Sequence, residues 1–148
     1  MISDEAPTCL SVVEDDEDVR DRLARLFRKK GFRVVSADNG LQGTVLAAME
    51  EPDILVMDLY MPSVGSLALL RALTGLDWFR HVALVVITGA YPQGHPKLLE
   101  ARDLGAAVLR KPFKEGCLYA AALEAQEMAT CRSGDFSVAS DDVAEAIQ

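Results

Sequence analysis

With 148 residues, half of them hydrophobic and 26% charged, the chain has the composition of a soluble globular protein and the length of one domain. Such a chain buries roughly 70% of the surface it exposes when unfolded. A formal net charge of -8 and a pI near 4.7 argue against direct binding of nucleic acid, which needs a surplus of lysine and arginine. The longest apolar stretch, residues 82–90, is too short to span a bilayer, and the acidic start Met1-Ile2-Ser3-Asp4-Glu5 is unlike a basic secretory signal. Cys9, Cys117 and Cys131 show no CxxC spacing and read as reduced thiols, so the expectation is a cytoplasmic protein with no membrane partner.

The first apolar run, Leu10-Ser11-Val12-Val13, reads as a strand that delivers Glu14, Asp15 and Asp16. Val19, Leu23, Leu26 and Phe27 then recur at helical spacing, with Asp18 expected to cap the helix and Gly31 to stop it. Residues 33–37 are β-like, Asn39-Gly40 signals a turn, and residues 41–51 are helical until Pro52 blocks continuation. Residues 53–59 form the most apolar strand, and its run Ile54-Leu55-Val56-Met57 delivers Asp58. Met61-Pro62 breaks it, and Leu67, Leu70, Leu73 and Leu76 mark a third helix. The strand at residues 83–87 delivers Thr88. A loop at 91–96 precedes a helix at about 97–104, closed by Gly105. The last strand, 106–110, runs into Lys111-Pro112, and Leu118, Ala121, Ala122 and Ala125 give a final amphipathic helix. After about Ala129 the composition turns to Ser, Asp, Gly and Ala. Residues 130–140 therefore read as a flexible linker, and 141–148 as a frayed end with Val143 and Ile147 on one side.

Five βα units in series predict a doubly wound α/β fold with a parallel sheet and helices on both faces. All the strand endings would lie along its carboxyl edge, where open α/β sheets place their sites. Three carboxylates, a hydroxyl and an ammonium would then converge. A carboxylate can attack a phosphoryl group, but the approach of one anion to another needs charge neutralised between them. Mg²⁺ takes one or two carboxylates together with water and phosphate oxygens, which suits Asp15 and Asp58 with Glu14 nearby. Lys111, held extended by Pro112, would reach a phosphate oxygen, and Thr88 would offer its hydroxyl, with Gly89 giving the backbone room. Each residue also has a plain reading. Glu14 to Asp18 could be a solvated loop complementing a helix dipole, Thr88 a β-branched strand residue, and Lys111 an exposed loop lysine.

Val-Val-Glu-Asp-Asp at 12–16, Val-Met-Asp-Leu-Tyr-Met-Pro at 56–62, Val-Ile-Thr-Gly at 86–89 and Arg-Lys-Pro-Phe at 110–113 resemble the receiver domain of two-component response regulators. The resemblance covers residues 8–128, leaving 129–148 as a flexible acidic C-terminal tail. It implies a flavodoxin-like five-stranded sheet in the order 2-1-3-4-5 and a signalling module with self-phosphorylation and autodephosphorylation chemistry only. By the same resemblance Asp58 is the phosphoacceptor, Asp15 with Glu14 the Mg²⁺-binding acidic pair, and Tyr60 the donor of a backbone carbonyl to that metal. Thr88 becomes the switch hydroxyl and Lys111 the phosphate-contacting lysine. The phosphoryl group would come from a sensor histidine kinase or histidine phosphotransfer protein. The output would be altered affinity of the fourth helix, fifth strand and fifth helix for an unidentified protein partner. The basic residues of the first helix, Arg20 to Lys30, would be mostly a solvated face, with docking of an acidic kinase or phosphotransfer helix as the other reading.

The chain departs from the family pattern in places. Val108 stands where an aromatic is usual, the segment from Gly105 to Lys111 is one residue short, the loop after Thr88 is longer, and Gly65-Ser66 replaces Asp-Gly. Tyr60 and Ala90 occupy the positions that in this family influence phosphate lifetime, and a bulky Tyr60 implies slow hydrolysis. Several other functions remain in view. A pseudo-receiver would bind a partner constitutively without phosphorylation, and a receiver excised from a larger hybrid kinase or regulator would carry a linker such as 130–140. A stand-alone receiver suits the seven residues ahead of the first strand. A dehalogenase-type phosphatase would want a second Asp where Tyr60 stands. Flavin binding would want a Gly, Ser and Thr-rich loop where the first acids stand.

Overall fold

Leu10, Val12, Ile54, Val56, Val85 and Ile87 fall on one side of a sheet, and Val13, Leu55, Met57, Leu84 and Val86 on the other. This alternation at a period of two is what a strand covered on both faces requires. The computed structural model describes residues 7–60, 66–89 and 91–133. In chain order these form β1 (Cys9–Val13), α1 (Glu17–Lys29), β2 (Arg33–Ala37), α2 (Gly40–Glu50), β3 (Ile54–Asp58) and α3 (Ser66–Thr74). A 3₁₀ segment (Asp77–His81) follows, then β4 (Ala83–Thr88), α4 (Pro96–Asp103), β5 (Ala106–Arg110) and α5 (Glu115–Ser133). The strands are all parallel, in the order β2-β1-β3-β4-β5. The expected doubly wound, flavodoxin-like (βα)5 architecture is borne out.

On one face Leu23 and Phe27 of α1 and Leu118, Ala122 and Ala125 of α5 close the core. On the other, Leu70 and Leu73 of α3, Phe79 of the 3₁₀ segment and Leu98 and Ala101 of α4 do so. Each fully buried Phe or Leu contributes roughly 1.5–3 kcal/mol of transfer free energy. β1, β3 and β4 are buried along their whole length, while β2 forms an edge with Arg33 and Ser36 exposed.

Local chemistry sets the ends of the helices. The Asp16 side chain accepts a hydrogen bond from the Val19 N–H at 3.1 Å, so Asp16, not the expected Asp18, caps α1. Asp18 lies in the first turn, where its charge complements the dipole. Asn39 caps α2 by accepting from the Gln42 N–H at 2.8 Å. Gly31, at φ 95°, takes the left-handed conformation that closes α1. α4 begins one residue earlier than expected, with Pro96 in its first turn and the His95 ring as the cap.

Two further expectations are corrected. Leu76 is not part of α3, which ends at Thr74; it precedes the 3₁₀ segment and is 43% exposed. α5 continues to Ser133, so residues 130–133, read as the start of a linker, are helical. The remainder of that tail, and the readings on Met61, Pro62, Gly65 and Ala90, lie outside the described residues.

Candidate functional site

Parallel register decides which side chains meet. Val13 pairs with Met57, Asp58 with Ile87 and Thr88 with Arg110, so the strands end almost level on the carboxyl edge. Glu14 follows β1, Asp58 and Thr88 close β3 and β4, and Lys111 follows β5. Backbone bonds lock the ends together. The Glu14 N–H donates to the Ala37 carbonyl at 3.1 Å, the Leu59 N–H to Ile87 at 2.8 Å and the Lys111 N–H to Thr88 at 2.7 Å.

The candidate residues converge on that edge. Carboxylate oxygens of Glu14, Asp15 and Asp58 lie within 4.8 Å of one another. Lys111 Nζ sits 3.1 Å from Asp58 Oδ2 and 3.6 Å from Glu14 Oε2. Asp58 Oδ1 accepts from the Tyr60 N–H at 2.9 Å, and Glu14 Oε1 from the Asp16 N–H at 3.2 Å. Exposure separates the three acids: Glu14 is 2% and Asp58 7% exposed, while Asp15 stands in solvent.

The electrostatics of the cluster is unbalanced. Burial first, and then the negative charge of Asp58, pushes the Glu14 carboxyl up to about 8. Glu14 Oε2 and Thr88 Oγ1 are buried without a hydrogen-bond partner. Burial pulls the Lys111 ammonium down, but its hydrogen bond to Asp58 and the charges of Asp58 and Glu14 outweigh that and leave it above the usual lysine value. A buried carboxylate oxygen that accepts no hydrogen bond, with the Lys111 ammonium 3.6 Å away and two further carboxylates beside it, belongs to a donor set that fits a hard, oxygen-seeking divalent cation. Thr88 Oγ1, at the end of the strand beside that of Asp58, is the other buried oxygen of the edge that lacks a hydrogen-bond partner.

Other contacts escaped the sequence. Arg20 Nη1 donates to the Glu14 carbonyl at 2.8 Å, so Arg20 fastens α1 to the end of β1 and does not belong to the solvated face. Beyond Asp58, the Tyr60 ring meets the Tyr91 ring edge to face, centroids 6.3 Å apart at 78°. Nothing local in the sequence marks that pair, because it joins two loops. Val108, in the place of the usual aromatic, is partly buried against the core of the α3 and α4 face. Trp78 and Phe113 are partly buried against the cores.

A parallel α/β sheet thus carries acids, a hydroxyl and a lysine along its carboxyl edge, where open sheets of this kind place their sites. The family model described as the response regulator receiver domain matches residues 10–123. The chain belongs to that family, and it is the receiver domain of a two-component response regulator. It is 28% identical over 103 residues to sporulation initiation phosphotransferase F of Bacillus subtilis, covering 69% of this chain and 80% of that protein. It is 32% identical over 111 residues to the transcriptional regulatory protein FixJ of Azorhizobium caulinodans, covering 74% of this chain and 51% of FixJ. Among solved structures, FixJ-N is similar at a TM-score of 0.68 with 30% identity, covering 85% of this chain and 95% of that one. The chemotaxis protein CheY4 of Vibrio cholerae shares the fold at a TM-score of 0.73 with 20% identity, covering 81% and 99% of the two chains.

Proposed function

We propose that this receiver accepts a phosphoryl group at Asp58, in the presence of Mg²⁺, from a phosphohistidine on a sensor kinase or phosphotransfer protein, and that phosphorylation switches its affinity for a protein partner in the cytoplasm. The observation that carries the reading is the Asp58 carboxylate itself. It is almost buried at the end of β3, 3.1 Å from the Lys111 ammonium and grouped with the oxygens of Glu14 and Asp15. Its relatives, a phosphotransferase by name among them, support the same direction.

In this reading an Asp58 oxygen forms a bond to phosphorus as the bond from phosphorus to the histidine nitrogen breaks, the electron pair leaving with the imidazole. Glu14, Asp15, Asp58 and the Tyr60 carbonyl would hold Mg²⁺, which when bound supplies the positive charge that lets two anions approach. Lys111 exchanges its contact with Asp58 for one to a phosphoryl oxygen, and the Thr88 hydroxyl gains in that oxygen the partner it lacks. A hydroxyl drawn toward the site moves the end of β4 and the loop before α4, which is the route to a face built on α4, β5 and α5. A groove is lined by Val19, Leu23 and Leu26 of α1 and by Pro112 and Phe113, with Arg22, Lys111 and Glu115 as its charged members. It suits the apolar face of a kinase or phosphotransfer helix. The domain on this reading spans 8–128, with 129–148 as an acidic tail whose first residues extend α5.

The test is incubation with Mg²⁺ and acetyl phosphate, read by intact mass and a phosphate-affinity gel, with Asp58→Asn beside the wild type. One added phosphoryl group that needs both Mg²⁺ and Asp58 is the expected result. No addition, with Mg²⁺ binding undetectable by titration, would overturn it in favour of a pseudo-receiver with constitutive partners.

A further inference from the structure

The Tyr60 backbone N–H is bonded to Asp58 Oδ1, yet the Tyr60 side chain is 56% exposed. An exposed tyrosine ring ordinarily samples several rotamers. This one is met edge to face by Tyr91, with centroids 6.3 Å apart. Tyr91 is itself held on several sides. It packs partly buried against the α3 and α4 core, its ring lies 4.6 Å from the His95 ring, and its hydroxyl lies 3.1 Å from Lys97 Nζ. The same ammonium stands 5.1 Å from the ring centroid. His95 and Lys97 in turn are fixed to the start of α4, where the Lys97 N–H donates to His95 Nδ1 at 3.1 Å. Tyr91 is thus the anchored member of the pair and Tyr60 the member that needs anchoring.

The position of the pair gives it a consequence. β3 and β4 are neighbours, and Asp58 lies opposite Ile87 with Thr88 next in line. A phosphoryl group on Asp58 that satisfies the Thr88 hydroxyl must occupy the gap between those two strand ends. Tyr60 lies two residues beyond Asp58 at the end of β3 and Tyr91 three beyond Thr88 at the end of β4, so their ring contact ties together the segments that leave those two strand ends. In hydrolysis a water oxygen forms the new bond to phosphorus while the bond to the Asp58 oxygen breaks. The electron pair returns to the carboxylate, and the proton of the water passes to solvent. The water must arrive from the open side, opposite the bond that breaks.

We infer that Tyr91 is a positioning residue that holds the Tyr60 ring as a wall between the β3 and β4 loops, and thereby slows the attack of water on the phosphorylated form. The inference rests on Asp58 being the phosphoacceptor.

The experiment measures the decay of the phosphorylated full chain, after removal of acetyl phosphate, for wild type, Tyr91→Ala, Tyr91→Phe, Tyr60→Ala and the double variant Tyr60→Ala/Tyr91→Ala. Tyr91→Ala is expected to accelerate decay by about 2- to 10-fold, the range an aromatic pair commands. Tyr91→Phe keeps the ring and is expected to retain slow decay. The double variant is expected to match Tyr60→Ala within about twofold, because the two residues act as one unit. Unchanged decay in Tyr91→Ala, or additive effects in the double variant, would overturn the inference while leaving the acceptor intact. Failure of the wild type to take up phosphate at all would overturn the acceptor reading and this inference with it.

Discussion

Glu14 carries the largest electrostatic imbalance in the site. Its side chain is 2% exposed, one oxygen has no hydrogen-bond partner, and its carboxyl is pushed up to about 8 by burial and by Asp58. An acid whose folded pKa lies above its unfolded value is favourable to folding while protonated. That contribution is fully present below the ordinary glutamate value of about 4.5 and is lost as pH rises through about 8. Metal-free protein is therefore expected to lose melting temperature across that window, and Glu14→Gln to show a flatter profile with a higher melting temperature at its alkaline end. Thermal denaturation in a chelator at a series of pH values checks this, and parallel profiles for the two proteins would contradict it. The same variant removes an oxygen anion from the cation cluster, so titration calorimetry is expected to show Mg²⁺ affinity lower by about 10-fold or more. Opposite signs on stability and affinity distinguish a residue kept for its ligand from one kept for its packing.

Among the elements, α2 shows how a helix can be legible in position and illegible in orientation. Asn39-Gly40 and Pro52 bound it correctly, yet of its large apolar residues only Leu46 packs against the core, while Leu41, Val45 and Met49 are 67%, 54% and 74% exposed. The fully buried positions of the helix are Gly40, Gly43 and Ala47, and at Gly43 it approaches β1 too closely for a larger side chain. A methyl group on Gly43 would stand 2.6 Å from Val13 Cγ2, on a β-branched residue that cannot swing aside. Gly43→Ala gains about 1 kcal/mol in helix propensity and loses about 1–3 kcal/mol to overpacking. The expected outcome is a net loss of about 1 kcal/mol in chemical denaturation, and a stabilised variant would show that α2 has room to move away from β1. Elsewhere short or compositionally ambiguous stretches hid their structure. The 3₁₀ segment Asp77–His81 is too brief for periodicity and is held by burial of Phe79. α5 runs through polar residues to Ser133, beyond Ala129, whose burial ties that end to the core.

For the molecule as a whole, the strands were readable because β1, β3 and β4 are apolar on both faces, and the edge was readable because parallel strands end together. Glu14, Asp58 and Lys111 therefore meet at the edge that their order along the chain predicted, and Thr88 closes the neighbouring strand. The contacts of Arg20 with Glu14 and of Tyr60 with Tyr91 depend on how a helix and two loops lie across that edge, which no local pattern encodes. One sheet carries both cores, each strand contributing alternate residues to each. The two faces should accordingly unfold together as one cooperative unit. A ligand that binds only the folded edge must then raise the stability of the whole. At a free Mg²⁺ concentration 100 times its dissociation constant, linkage supplies about 2.7 kcal/mol, and for a chain of this length that raises the melting temperature by about 8 °C. Scanning calorimetry is expected to show a single transition that moves upward by this amount in wild type and stays in place in Asp15→Asn. Two transitions, with Mg²⁺ shifting only one, would mean that the face closed by α1 and α5 and the face closed by α3 and α4 melt separately. In that case the energy of an event at Asp58 would be confined to one side of the sheet.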